Sequence, residues 1–402
     1  MTLVSTDRLY TRHFFQAFAA SCLFMTCVSL QYHFAKYLEF RGCSVATSGL
    51  IVGLGSVGPL LLRLHIGKCI DRFGCRPTWF VGTVAVALAM VLMRFTDGIG
   101  QIVVLRTVFQ VAVSAVMTTV AVFAAQIAPP LRRAESIGTI GLAGFLGTSL
   151  GPLLGDAIFK IGGTDTIMPY EAFFGITALC SLAACAVMML MTLPAACGPG
   201  FGQSAAVSPG DGPKPLSTIQ VILRHWPGPI LLVSAVFSMV ACLNQMYLER
   251  LADAAGFRNI KVFYLVYCPT AIAMRLLFRR LPEILGRRGT LLMGMSLHTV
   301  GLLALLGVKA ESHLILPALL MGSGHCFIFP SMVDLAADRL PPQYRGTGTA
   351  LAFAAGDLGQ LVGFVCLGQV IAAFGYDAAI LVMAAAVAFG AVVFAIRGGS
   401  GR

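Results

Sequence analysis

The sequence predicts an all-α membrane protein of twelve transmembrane helices, arranged as two pseudo-symmetric six-helix bundles. Three observations predict it. Of 402 residues, 57% are hydrophobic and 11% charged, whereas a water-soluble chain is roughly a quarter charged. Apolar runs of about twenty residues, long enough to cross ~30 Å of hydrocarbon, recur along the whole chain. The two halves also match each other at one constant offset of 212 residues.

The spans follow in order, with mean hydropathy +0.86 over the chain. The first, 14–38, is too long for a signal-peptide core and lacks a small-residue cleavage site, so it is kept as a membrane helix. Runs at 47–66, 77–94, 99–127, 137–159 and 170–192 complete the first bundle. Pro194 to Leu216 is rich in Gly, Pro, Ala and Ser without periodicity and reads as a flexible linker. Runs at 228–249, 260–278, 290–308, 312–335, 346–373 and 378–396 form the second bundle. The expected organisation is therefore a first half over 1–193, a cytoplasmic linker over 194–223 and a second half over 224–402.

Charge placement sets the orientation. With the N-terminus in the cytoplasm, 17 of the 28 Lys and Arg residues fall in cytoplasmic loops and 8, including Lys36, Arg41 and Arg250, on the other side. That is the positive-inside bias of a cell-membrane protein with both termini cytoplasmic, in a bacterium the inner membrane. The net charge of +11 is spread through these loops and forms no basic patch interleaved with aromatics, which excludes a nucleic-acid surface. Cysteines such as Cys22, Cys27, Cys242 and Cys326 lie within apolar runs without a CxxC pair, and read as small buried residues rather than disulfides or metal ligands. No phosphate-binding loop, nucleophile–base pair or cofactor fingerprint occurs, so neither an enzyme nor a cofactor is expected.

The offset of 212 carries Arg63 onto Arg275, Asp71 onto Glu283, Gly74 onto Gly286 and Arg76 onto Arg288. It continues through Gly147 onto Gly359 and Gly151 onto Gly363. A parallel repeat of two six-helix halves is the architecture of rocker-type secondary transporters, whose substrate site lies near the bilayer midplane.

Two motifs carry a family resemblance. After the second span comes Gly67-Lys-Cys-Ile-Asp71-Arg72-Phe-Gly74-Cys75-Arg76, a turn with two glycines and a carboxylate among basic residues. It resembles the GxxxDRxGRR loop of the major facilitator superfamily and departs from it at Cys75, where that family has arginine. The resemblance implies that Asp71, with Arg72 and Arg76, latches the halves in the outward-open state, with Glu283, Arg287 and Arg288 as a degenerate copy. In the fifth span Gly147-Thr-Ser-Leu-Gly151-Pro152-Leu-Leu-Gly155 is similar to the superfamily's GxxxGPxxGG gate motif, associated with exporters that run as antiporters. Asp156 replaces its last glycine. Leu61 to Arg76, Arg275 to Arg288 and Gly322 to Gln360 resemble the bacterial arabinose-efflux-like, drug-efflux branch.

Polar residues inside spans are costly and mark candidate sites. Arg106 and Gln110 lie one helical turn apart in the fourth span. His325 and Asp357 fall at one depth, ~18–20 Å from a span end at 1.5 Å per residue, as a titratable pair able to pass a proton. Gln31, His33, Asn244 and Gln245 are expected to line a hydrated cavity, at repeat-related depths for His33 and Gln245, and the resemblance implies that helices 1, 4, 7 and 10 border it. Each group has a plainer role too: amides and histidines bridge membrane helices structurally, and Arg63 and Arg275 can snorkel.

The expected function is export of a small organic solute by alternating access in exchange for protons, by a monomer in the lipid bilayer. Two alternatives stay open. One is an importer or facilitator of a sugar, metabolite or metal chelate; the other is a non-transporting membrane receptor or assembly factor.

Overall fold

A computed structural model of the chain describes residues 10–96, 98–128, 133–191, 218–257, 259–341 and 344–398. Most of the expected linker lies outside these residues. All the described elements are helical.

Helix α1 begins at a side-chain cap, the Thr11 hydroxyl accepting from Phe14 N at 3.3 Å, which satisfies one of the first turn's orphan donors. It runs over Arg12–Leu30, passes through a 3₁₀ turn at Gln31–His33 and continues over Phe34–Phe40. Helix α2 is capped by Ser44, which accepts from Thr47 N at 3.1 Å, and comprises Val45–Gly55 and Val57–Phe73. Helices α3 (Cys75–Met93), α4 (Ile99–Ile127), α5 (Arg133–Gly162) and α6 (Met168–Met189) follow. A short helix, Thr218–Arg224, precedes α7, which consists of Gly228–Cys242, a π-turn at Leu243–Tyr247 and Leu248–Ala254. Then come α8 (Lys261–Leu277), α9 (Gly286–Ala304) and α10 (Ile315–Asp338). The last run, Arg345–Arg397, is two helices meeting at Gly375, whose φ of 83° and ψ of 178° are not helical: α11 (345–374) and α12 (376–397).

Ten helices among the described residues are long and apolar enough to cross a membrane. One of these is the Arg345–Arg397 run, which holds two spans, and the 17-residue α8 supplies the remaining one. The twelve predicted spans are thus all present. Large apolar side chains such as Ile161, 88% exposed, cover the helix surfaces, as expected where lipid rather than water is the solvent.

The chain forms two compact units, one of residues 1–32 with 61–204 and the other of residues 33–60 with 205–402. In the first, α1 packs on α5 and α6, and α3 on α4 and α6. In the second, α7 packs on the Arg345–Arg397 helix, α10 on α8 and α9, and the first piece of α2 on the Arg345–Arg397 helix. Residues 33–60 thus belong to the first half by sequence and to the second unit by packing.

Small residues make the closest crossings, because membrane helices gain little by burying apolar surface and associate through close packing. A Cβ at Gly151 would lie 2.1 Å from Ser29 Oγ and 2.4 Å from Leu30 N, and one at Gly147 2.4 Å from Cys22 O. The repeat-related Gly359 would meet Ala235 O at 2.1 Å, and Gly363 the Met239 Cα at 3.1 Å. So α5 crosses α1 as α11 crosses α7, at the matched glycines.

Positive-φ glycines extend this register. Gly74 (86°) pairs with Gly286 (71°) and Gly163 (74°) with Gly375 (83°), both at the offset of 212. Only glycine adopts these values without strain. The register slips by two at one place: Gly42 and Gly256 close identical helix ends, Cys43 N bonding Leu38 O and Phe257 N bonding Ala252 O. α7 carries the wide π-turn just before this end. The alignment of His33 with Gln245 by constant offset therefore does not hold here.

Candidate transport site

In the first unit, Arg106 of α4 is buried and donates from Nη1 to Gln31 Oε1 at 3.2 Å. Gln31 Nε2 donates to Thr177 Oγ1 of α6 at 3.1 Å. The Thr177 hydroxyl in turn donates to Phe173 O at 2.8 Å. Every donor and acceptor in this relay points one way, so the guanidinium polarises a chain across α4, α1 and α6. The guanidinium carbon also lies 4.8 Å from the Phe109 ring centroid, a cation–π contact that partly repays its desolvation. The sequence placed Arg106 and Gln31 in separate groups; folding brings them together. Gln110 lies half-buried one turn further along α4.

In the second unit, His325 of α10 has its Nδ1 2.5 Å from the Tyr267 hydroxyl of α8. Phe237 of α7 meets the imidazole edge-on at 5.0 Å, and Phe329 lies 6.2 Å away. The Gly322-Ser-Gly324 segment explains the approach. A Cβ at Gly322 would lie 2.5 Å from Tyr267 O, and one at Gly324 2.7 Å from Gly294 O, so α10 sits backbone to backbone on α8 and α9. Asp357 is half-buried on α11 between Gly356 and Gly359, which face Ser238 and Ala235 of α7. Asn244 and Gln245 sit within the π-turn, where the Asn244 carbonyl accepts from the Tyr264 hydroxyl.

The loop motif is repeated in three dimensions. Gly74 makes the turn, Arg76 Nη2 donates to Met189 O at the C-terminal end of α6 at 3.1 Å, and Arg288 donates to Ala395 O near the end of α12. Cations at helix C-termini are favoured by the dipole. Arg72 lies against Phe73, its guanidinium carbon 5.3 Å from the ring centroid. The side chain of Asp71 lies outside the described residues. Glu283 is exposed in the short helical turn Leu281–Ile284, and Gly67 meets nothing within 4 Å.

The departure at Cys75 has a matching departure across the contact. Its repeat partner Arg287 pairs with Asp334 at 2.8 Å and with Asp338. Cys75 instead donates through Sγ to Gln126 Oε1 at 3.4 Å, and Gln126 is the residue 212 before Asp338. One half holds an ion pair where the other holds a thiol and an amide. Changing both residues, Cys75→Arg with Gln126→Asp, is expected to melt above either single variant. Cys75 is buried, and a charge left there without its partner is destabilising, so the pairing is read as a positive coupling in a double-mutant cycle by thermal unfolding.

The Major Facilitator Superfamily profile matches residues 13–309 and again 260–398. The chain belongs to the Major Facilitator Superfamily. Like other members it is a multi-pass membrane protein of a transporter family. A 123-residue stretch is 30% identical to the efflux pump azaK of Aspergillus niger (strain ATCC 1015), covering 31% of this chain and 26% of that protein. A probable metabolite transport protein, CsbC of Bacillus subtilis (strain 168), is 23% identical over 65% of this chain and 61% of its own length. The chain thus spans about a quarter and about three fifths of these two relatives. An uncharacterised MFS-type transporter of Burkholderia mallei (strain SAVP1) is 24% identical over 87% of this chain and 82% of its own. Among solved structures, the nucleoside transporter NupG superposes with a TM-score of 0.74 over 97% of this chain and 100% of that chain, at 11% identity, a likeness of fold.

In this Major Facilitator chain the sequence reading missed one cluster. Lys36 and Arg250, counted among loop charges, are buried, and so is Glu249 of α7. Lys36 Nζ lies 2.9 Å from Glu249 Oε1, which also takes His33 Nδ1. The available signal was Glu249-Arg250 at the end of the seventh apolar run, one turn past Asn244 and Gln245. Adjacent charges at a span end read equally well as a loop, and only packing separates the two.

Proposed function

We propose that the chain exports a small organic solute by alternating access, in exchange for protons. The observation that supports this most directly is the seating of the gate motif. Gly147 and Gly151 of α5 lie against α1 with no side chain between, and the Ser29 hydroxyl donates to Gly147 O at 3.0 Å. Two residues further along α1, Gln31 holds Arg106. A shift of Pro152-bearing α5 on α1 therefore moves the residue that orients the buried arginine.

Arg106 serves as the charged contact and Gln110 as a neutral hydrogen-bonding contact for substrate or for the proton-bound state, and His325 with Asp357 as the titratable groups of the second unit. The glycines flanking Asp357 let α11 move against α7 as α5 moves against α1, so both charged regions report on equivalent crossings. The similarity of one stretch to an efflux pump agrees with export.

The test uses everted membrane vesicles, with a substrate found by ligand-dependent thermal shift of the purified protein. Acidifying the vesicle interior is expected to drive uptake. Asp357→Asn is expected to abolish that proton-driven uptake while the protein stays folded in the membrane. Normal pH-dependent transport by Asp357→Asn would sink the coupling role. Uptake seen only in right-side-out vesicles would point to import instead.

A further inference from the structure

Within the described residues the chain passes between its compact units at two places, and both lie at or near breaks in helix. The first passage falls between Tyr32 and His33, inside the 3₁₀ turn of α1. The second falls between Leu60 and Leu61, just past Ser56, where α2 is interrupted. Mid-helix 3₁₀ stretches mark hinges or sequences under strain.

The hairpin between these breaks, residues 33–60, is held on α7 by buried charge. His33 and Lys36 converge on Glu249 Oε1, with side chains 0%, 10% and 1% exposed. Arg250, the next residue, donates from Nη2 to Ala35 O at 3.2 Å and to Ser48 Oγ at 3.1 Å. Glu249 itself lies two residues past the π-turn Leu243–Tyr247, a kind of local widening that occurs frequently at functional sites.

A static helix contact would not be built this way. Buried ion pairs gain little over apolar residues of similar volume, and ionisable groups inside membrane spans carry function by default. The second carboxylate oxygen of Glu249 has no hydrogen-bond donor among the described residues. The rest of the contact is of the opposite kind, close and nearly featureless. A Cβ at Gly53 would meet Val365 Cγ2 at 2.7 Å, and one at Gly368 would lie 3.2 Å from Val45 O. Smooth glycine faces hold by proximity and part without breaking specific bonds. The specific bonds are concentrated at Glu249 and Arg250.

We propose that Glu249 with His33 and Lys36, backed by Arg250 on Ala35 and Ser48, is a charge clasp holding the 33–60 hairpin on α7. The hairpin is released about Gln31–His33 and Ser56 when the clasp opens. The clasp is separate from the loop latch at Asp71. Placing its opening in the transport cycle rests on the function proposed above, but the clasp is measured without transport.

Val52, 2% exposed, reports on the hairpin, and Cys27, 0% exposed in the first unit, is an internal control. In a protein carrying Val52→Cys and Cys27 as its only cysteines, a small methanethiosulfonate reagent is expected to label residue 52 slowly. Glu249→Gln and Lys36→Met are each expected to raise that rate at least tenfold while Cys27 stays unlabelled. An unchanged rate at residue 52 in both variants overturns the proposal. If Cys27 labels too, the variant has unfolded, and the exchange Lys36→Glu with Glu249→Lys, which keeps a pair, decides. Restored protection at residue 52 supports the clasp; rapid labelling overturns it.

Discussion

Gly151→Ala is expected to destabilise the first unit by about 3 kcal/mol, the upper end of the cost of inserting a methyl group into a packed core. The added Cβ would lie 2.1 Å from Ser29 Oγ, 2.4 Å from Leu30 N and 2.6 Å from the Ser29 carbonyl carbon. A hydroxyl can rotate away, but the two backbone atoms cannot, so α5 must move off α1. Moving it also breaks the Ser29 hydrogen bond to Gly147 O. Gly359→Ala, with its Cβ 2.1 Å from Ala235 O and 2.7 Å from Ala235 Cα, should cost as much in the second unit. Gly175→Ala is the control, because nothing lies within 4 Å of its Cβ and alanine is the better helix former. Thermal unfolding of the purified proteins checks this. A drop of several degrees is expected for Gly151→Ala and Gly359→Ala and none for Gly175→Ala. Equal melting of all three would remove the close crossing.

The same glycines show how far the fold was legible. The apolar runs located every span, because their length is a one-dimensional consequence of crossing a bilayer, and the repeat of 212 matched the spans of one half to those of the other. Gly74 with Gly286 and Gly147 with Gly359 were recognisable as pairs before any coordinates, since a backbone needing positive φ or close approach admits little else. Arg106 was legible as a buried cation, but its seat on Gln31 and Thr177 was not. Three helices must meet for that relay, and no residue spacing within one helix encodes the meeting. The clasp was misread for a related reason. Lys36 and Arg250 have the sequence position of loop charges, and only the packing of residues 33–60 with α7 turns them into buried ones. The slip from Gly42 to Gly256 was hidden as well, because the matched motifs all lie beyond the π-turn that precedes it.

Arg106→Gln is expected to lower transport by two orders of magnitude or more while changing the melting temperature little. Glutamine fits within the space the arginine leaves, so the packing of α4 on its neighbours survives, while its shorter side chain gives up the charged hydrogen bond to Gln31 Oε1. What is lost is the positive charge over Phe109 and at the head of the Gln31–Thr177 relay. A hydrogen bond to a charged group contributes ~1.5–3 kcal/mol, which at 1.36 kcal/mol per decade is roughly one to two decades before any direct contact with substrate is counted. The relay orders the effects: Gln31→Leu should cost about tenfold and Thr177→Val less, because each removes a link progressively further from the charge. Arg106→Lys keeps the charge without the planar fork and should recover part of the activity. A merely structural arginine would show a different pattern, with melting temperature and transport falling together in Arg106→Gln and Arg106→Lys alike. Transport by Arg106→Gln within threefold of the parent would show that the charge takes no part in the cycle.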